Sequence, residues 1–169
     1  MIRSINGRTP RIAESAFISE TAYIVGDVEI GEQSSVWPGA VIRADFGGIK
    51  IGSRVAIEDN CCLHALDPMV IGDEVIVGHG AVLHCKSIGN KVLIGMNAVV
   101  LDSAEIGDFC IIGAGSVVTE GMKIPYGSFV IGVPAEIKGP VGEKRLERWK
   151  AGRSEVMPNL ARQYKEQGL

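Results

Sequence analysis

Aromatic residues are scarce in this 169-residue chain: two Trp, three Tyr and four Phe make up 5% of it. A sandwich core built on aromatic packing is therefore a poor fit. Leucine is scarce too, with 8 Leu against 38 Val plus Ile. β-Branched residues favour strands, which argues against an all-helical bundle. No run of about 18 apolar residues occurs, so no membrane span is expected. The opening MIRSINGRTPR has no apolar signal-peptide region. The four cysteines (Cys61, Cys62, Cys85 and Cys110) form no CxxC pair, which removes a zinc ribbon and a thioredoxin motif. Reduced thiols and a soluble, cytoplasmic protein are the expectation. Positive charge is not in excess either. The formal net charge is −3, so neither nucleic acid nor a membrane is an expected partner. Residues 142–169 alone are net positive, with seven Lys/Arg and four Glu, and read as a solvated helix face.

Glycine, by contrast, is abundant: 22 of 169 residues, about double the usual share. Aliphatic residues recur every six positions at Ile12, Ile18, Ile24, Ile30, Val36 and Ile42. After a three-residue slip come Ile51, Ile57 and Leu63, and after a two-residue slip Ile71, Val77 and Leu83. A five-residue step reaches Ile88, and the series then runs Ile94, Val100, Ile106, Ile112, Val118, Ile124, Val130. Four places after the aliphatic residue a small one is common, as at Ala22, Ala40, Ala81, Ala98 and Ser116. A period of six suits neither a helical stripe nor an isolated amphipathic strand. It predicts an all-β solenoid of short parallel strands, with the aliphatic residue inside and the small one at each bend. Three units per triangular coil give about seven coils. The expected division is a β-helix over 1–138 and a helical tail over 139–169 that packs against one face. Leu146 with Trp149, and Leu160 with Tyr164, mark an apolar side of that tail, and Pro158 is expected to start or kink a helix.

The chain has three histidines, His64, His79 and His84, all within 21 residues. His64 and His84 each follow the aliphatic residue of units three apart. They should therefore stack in successive coils about 4.8 Å apart, close enough to share a metal ion. Arg43 falls directly below them in the same column. His79 is the third residue of its unit, on another face, with Asp59 directly below it. A threefold axis would bring His79 of one subunit to His64 and His84 of the next, which suggests a cyclic homotrimer with sites between subunits. Three imidazoles with a fourth position open is the catalytic type of zinc site. An ordinary interface salt bridge accounts equally well for Arg43 and Asp45. Core filling accounts for Cys61 and Cys110.

The stretches WPGAVIRADFGGIKIGSRVAIEDNCCLH and VIGDEVIVGHGAVLHCKSIGNKVLIGMNAVVLD resemble the γ-class carbonic anhydrase family. The likeness covers roughly residues 10–138. It implies a left-handed parallel β-helix with a C-terminal α-helix, assembled as a trimer. It also implies reversible hydration of CO2 to bicarbonate by metal-bound hydroxide. His64 and His84 would bind zinc (alternatively iron or cobalt) from one subunit and His79 from its neighbour. Arg43 and Asp45 match the family's interface Arg-x-Asp pair, and Asp59 its acid beside a ligand. Glu58 stands where the family usually has Gln, and Phe46 where the most active type carries Glu. A carboxylate at 58 would repel hydroxide or carry a raised pKa. The resemblance further implies a side chain from the C-terminal helix near the metal, for which Tyr164 and Asn159 are candidates. Two other functions remain open: a non-catalytic, metal-stabilised trimeric scaffold, and an acyltransferase or thioesterase acting on acyl-CoA.

Overall fold

The computed structural model describes residues 1–64, 66–148 and 154–169. Each aliphatic repeat residue lies in a short strand that pairs in parallel with the strand one coil above and one below. The product is a left-handed β-helix of about seven triangular coils. Three interior columns run its length. One holds Ile24, Ile42, Leu63, Leu83, Val100 and Val118; all six are fully buried. The small residues sit at the bends because nothing larger fits between coils. Where they are polar, the hydroxyl is used: Ser34 Oγ donates to Gly52 O at 2.8 Å and accepts from Val55 N at 3.0 Å.

The three outer faces differ in chemistry. One carries a stacked, partly exposed stripe of Val41, Cys62, Val82, Val99 and Val117. A second carries Arg11, Glu29, Lys50, Val70, Ser87, Glu105 and Lys123 in register, with ion pairs Arg11–Glu29, Lys50–Glu29, Lys86–Glu105 and Lys123–Glu105. The third receives the C-terminal helix. Its strands run from Phe17–Ile18 through Ala56–Ile57 and Ile76–Val77 to Ser128–Gly132.

Both slips in the repeat fall at one corner. The three-residue insertion is absorbed by the long strand Val41–Ile51, which continues round the corner from the valine-striped face to the charged one. The two-residue insertion lies directly above it, between Leu63 and Ile71. The five-residue step after Leu83 turns Cys85 inward, where it is 1% exposed. At the corner beyond His79 the chain takes a left-handed residue in five successive coils. Gly39, Asn60, Gly80, Asn97 and Gly115 supply it, with φ between +55° and +72°. A Cβ at Gly80 would lie 2.3 Å from Asn97 Oδ1, so the Asn97 side chain would have to move.

Both ends hold features that the repeat does not reveal. Ile2–Arg3 forms a further parallel strand on Tyr23–Ile30. At the other end the chain reverses at a cis Val133–Pro134 bond, and Ala135–Pro140 pairs antiparallel with Ser128–Gly132. Helices α1 (Glu143–Arg148) and α2 (Ser154–Gln167) follow. Helix α2 begins four residues before Pro158 rather than at it, so the missing N–H costs one bond near the helix start. Its buried side is Met157, Ala161 and Tyr164 against Phe17 and Trp37, while Leu160 faces outward. The expected Leu160–Tyr164 stripe is thus shifted by one residue, because Ala161 allows close approach to the aromatic pair. Trp149 lies outside the described residues. No helix among them is long and apolar enough to cross a membrane.

All four cysteines are free thiols. Burial pushes Cys85 up to about 12 and Cys61 up to about 11, and raises Cys110 as well. Near neutral pH a thiol with a pKa of 12 is ionised in only about one molecule in 10⁵. Alkylation of the native protein should therefore modify at most Cys62, and all four thiols only after unfolding. Mass spectrometry of the adducts checks this, and rapid native labelling of Cys85 would contradict the packing.

Candidate metal centre

The coil register stacks Arg43, His64 and His84. His64 Nδ1 lies 3.1 Å from His84 Nε2. Each ring also meets a carboxylate at its other nitrogen. His64 Nε2 is 2.9 Å from Asp45 Oδ1, and His84 Nδ1 is 2.8 Å from Asp102 Oδ1. A carboxylate accepts only, so each outer nitrogen donates its N–H. With both rings neutral, the two facing nitrogens present lone pairs to each other, a contact that a metal ion or one shared proton relieves. Two metal–nitrogen bonds of about 2.0–2.1 Å at a tetrahedral angle set nitrogens about 3.3 Å apart. The observed 3.1 Å is close to that. The donor chemistry fits a divalent metal that accepts imidazole.

Asp45 reaches His64 because the three-residue insertion lets the strand carry on past Arg43. Its other oxygen is 3.2 Å from Arg43 Nη1. Burial pushes the Asp45 carboxyl up, but the His64 hydrogen bond and the Arg43 charge outweigh it and hold the group below its ordinary range. Phe46, on the same insertion, is 62% exposed and packs its ring edge-on to His64 at 6.0 Å.

His79 lies apart, beyond the strand Ile76–Val77 on the helix-bearing face. Its Nδ1 is 2.9 Å from Asp59 Oδ2 and its Nε2 is 3.2 Å from Glu58 Oε2. The same Glu58 oxygen accepts from the His79 backbone N–H at 3.2 Å. Glu58 is largely enclosed, whereas the His79 ring is half-exposed and open to a neighbour. Among the described residues no three metal-ligating side chains converge within one chain. The structure brings together His64, His84, Asp45 and Arg43 as one group, and His79, Glu58 and Asp59 as another. Tyr164 is committed elsewhere, with its ring 5.1 Å from Trp37 and 5.8 Å from Phe17. Asn159 is bonded to Arg162. Asp102 is absent from the motif reading, although a count of the coil would have placed it one residue past the position above His84.

A Methanocaldococcus jannaschii protein named "Probable carbonic anhydrase" is 45% identical over 141 residues, which is 82% of this chain and 89% of that protein. The chain belongs to the γ-carbonic anhydrase-like family of hexapeptide-repeat proteins. A bacterial transferase hexapeptide model matches residues 86–120. A Geobacillus kaustophilus carbonic anhydrase is 47% identical over 110 residues, covering 64% of this chain and 60% of that protein. Gamma carbonic anhydrase 2 of Arabidopsis thaliana is 34% identical, over 86% of this chain and 55% of that protein. The chain thus spans little more than half the length of several relatives. Among solved structures, a candidate acetyltransferase from Bacillus cereus has a TM-score of 0.94 at 38% identity, covering 98% of this chain and 97% of that one.

If Arg43 helps to keep Asp45 ionised, Arg43→Gln should move the Asp45 titration upward, because a positive neighbour is lost. The sign also fixes the pH window: the interaction is complete above the ordinary carboxylate range and lost only as acid protonates Asp45 below it. Carboxyl-carbon NMR titration of the metal-free protein measures this, and an unmoved titration would remove Arg43 from the arrangement.

Proposed function

We propose that the protein is a zinc-dependent γ-class carbonic anhydrase that interconverts CO2 and bicarbonate at sites shared between subunits of a homotrimer. The observation that carries this reading is the pair of imidazole nitrogens 3.1 Å apart, each ring anchored from behind by its own carboxylate. His79, anchored by Asp59 on a different face, is the third ligand and comes from the neighbouring subunit. Iron or cobalt would suit the same donors. The partly exposed valine stripe beside His64 and His84 supports burial of that face against another copy, whereas the charged face supports contact with solvent.

The residues divide the work. Asp45, Asp59 and Asp102 hold the outer N–H groups, so each ring turns its lone pair inward. Arg43 fixes Asp45. Asp59 at Nδ1 of His79 leaves Nε2 for the metal; in the single chain Glu58 Oε2 meets that nitrogen at 3.2 Å, and a bound metal would take its place there. Glu58 therefore sits where it accepts the proton that CO2 hydration releases. The metal, when bound, supplies a water acidic enough to attack CO2 near neutral pH. The exposed Phe46 leaves the rim apolar, which suits an uncharged substrate.

The candidate acetyltransferase among the structural relatives favours a second reading, acyl transfer from a CoA thioester. That chemistry needs one imidazole base, and it leaves the carboxylate behind each of the three rings without a purpose. A CO2 hydration assay on fully metallated protein, beside an acyl-CoA assay, separates the two.

The shared site makes a direct prediction. His79→Ala and His64→Ala homotrimers should each fail to hold zinc tightly. Unfolded together in equal amounts and refolded, they should regain zinc at about one interface in four, the random share for closed threefold symmetry. Metal analysis of the whole refolded population reads that share, isolated mixed trimers should hold zinc at about one interface in three, and no recovery in verified mixed trimers would exclude a site between subunits.

A further inference from the structure

We infer that Asp102 is the positioning residue for His84, setting which nitrogen of that ring faces the metal. The inference rests on the metal-binding reading above and assigns a residue that the family motif does not point to.

Its basis is geometric. In the column Arg43–His64–His84 the next residue up is Leu101, since Val100 pairs with Leu83. An aliphatic side chain cannot accept the outer N–H of His84. Without another acceptor, that N–H would have no side-chain partner from the coil above. Asp102, one residue further on, reaches back to meet it at 2.8 Å. The carboxylate hangs from a tight turn: Ala104 N donates to Leu101 O, Gly121 N donates to Asp102 O, and Ser103 is held at φ +57°. A turn pinned on both sides gives the side chain little freedom to choose another partner.

The charges around it point the same way. Asp45 shares its charge between His64 and Arg43. Asp102 has no ion pair with a Lys or Arg among the described residues. Lys86, on the same side, pairs with Glu105 at 3.3 Å instead. His84 is therefore the side chain that Asp102 meets, and holding the N–H at Nδ1 leaves Nε2 as the donor to a metal. Asp102 is also 46% exposed, so its replacement leaves no core cavity.

The test uses the whole protein with Asp102→Ala, which removes the acceptor, and Asp102→Asn, which keeps a carbonyl acceptor without the charge. Zinc affinity is measured by chelator competition, and the histidine tautomers by nitrogen NMR of the metal-free protein where the rings are neutral. Asp102→Ala should weaken zinc about 10–100-fold and move His84 away from the tautomer protonated at Nδ1, with helix content and subunit size unchanged. Asp102→Asn should lose less and keep that tautomer. Zinc affinity within about twofold of the unaltered protein, or an unmoved His84 tautomer in Asp102→Ala, would overturn the assignment. A His84→Ala control separates the two levels: if it holds zinc undiminished, the metal reading falls, and the role of Asp102 falls with it.

Discussion

Hydrogen bonding between successive coils is the constraint from which the rest of this molecule follows. A backbone that must pair with the coil above and below cannot slide. Every side chain is therefore stacked on one 18 or so positions away, at the strand spacing of about 4.8 Å. Inside the prism this produces unbroken columns of Ile, Val and Leu. Each fully buried member contributes about 1.5–3 kcal/mol, against about 0–1 kcal/mol for an exposed ion pair such as Lys123–Glu105. Stability thus resides in the interior, and the outer positions are left available for chemistry. Outside, the same stacking forces neighbours together whether or not they attract. Without Asp45 and Asp102, the column of Arg43, His64 and His84 would lack the carboxylates that meet its guanidinium and its two outer ring nitrogens.

The site is built where the repeat is broken. A perfect hexapeptide run would give a featureless prism, with every corner the same size. The three-residue insertion extends the corner after Arg43 and delivers Asp45 to His64 from one coil below, with Phe46 at the rim. The shortened step after Leu83 draws Cys85 inward, so the chain leaves His84 at the surface and turns away at once. Gly80 performs the complementary task at the other corner, turning the chain within one residue of His79. The scaffold is constant, and the irregularities set apart the surface on which the proposed site lies.

On the proposed reading, two half-sites on different faces call for a second chain. His64 and His84 are preorganised by their carboxylates, and His79 by Asp59. The solenoid is a stiff prism, and its faces do not fold onto each other. In the proposed homotrimer, a threefold axis would bring each half to its complement on the next copy.

The periodic placement of Ile, Val and small residues determined the solenoid, its coil count and the stacking of His64 on His84. Each of these depends on spacing along the chain, and in a stacked coil spacing is position. Spacing likewise put Asp59 beneath His79 and kept His79 off the other pair. It could not reveal the strand Ile2–Arg3 or the antiparallel closure by Ala135–Pro140, because ends are set by what covers the last coil and not by the period. It placed the helix stripe one residue off, at Leu160 in place of Ala161, because the shape of the Phe17–Trp37 surface decides which side chain fits against it. Only the tertiary structure decided which acid serves which ring. Asp102 lies outside the column arithmetic, and a turn pinned by Gly121 and Ala104, invisible in the order of residues, aims it at His84.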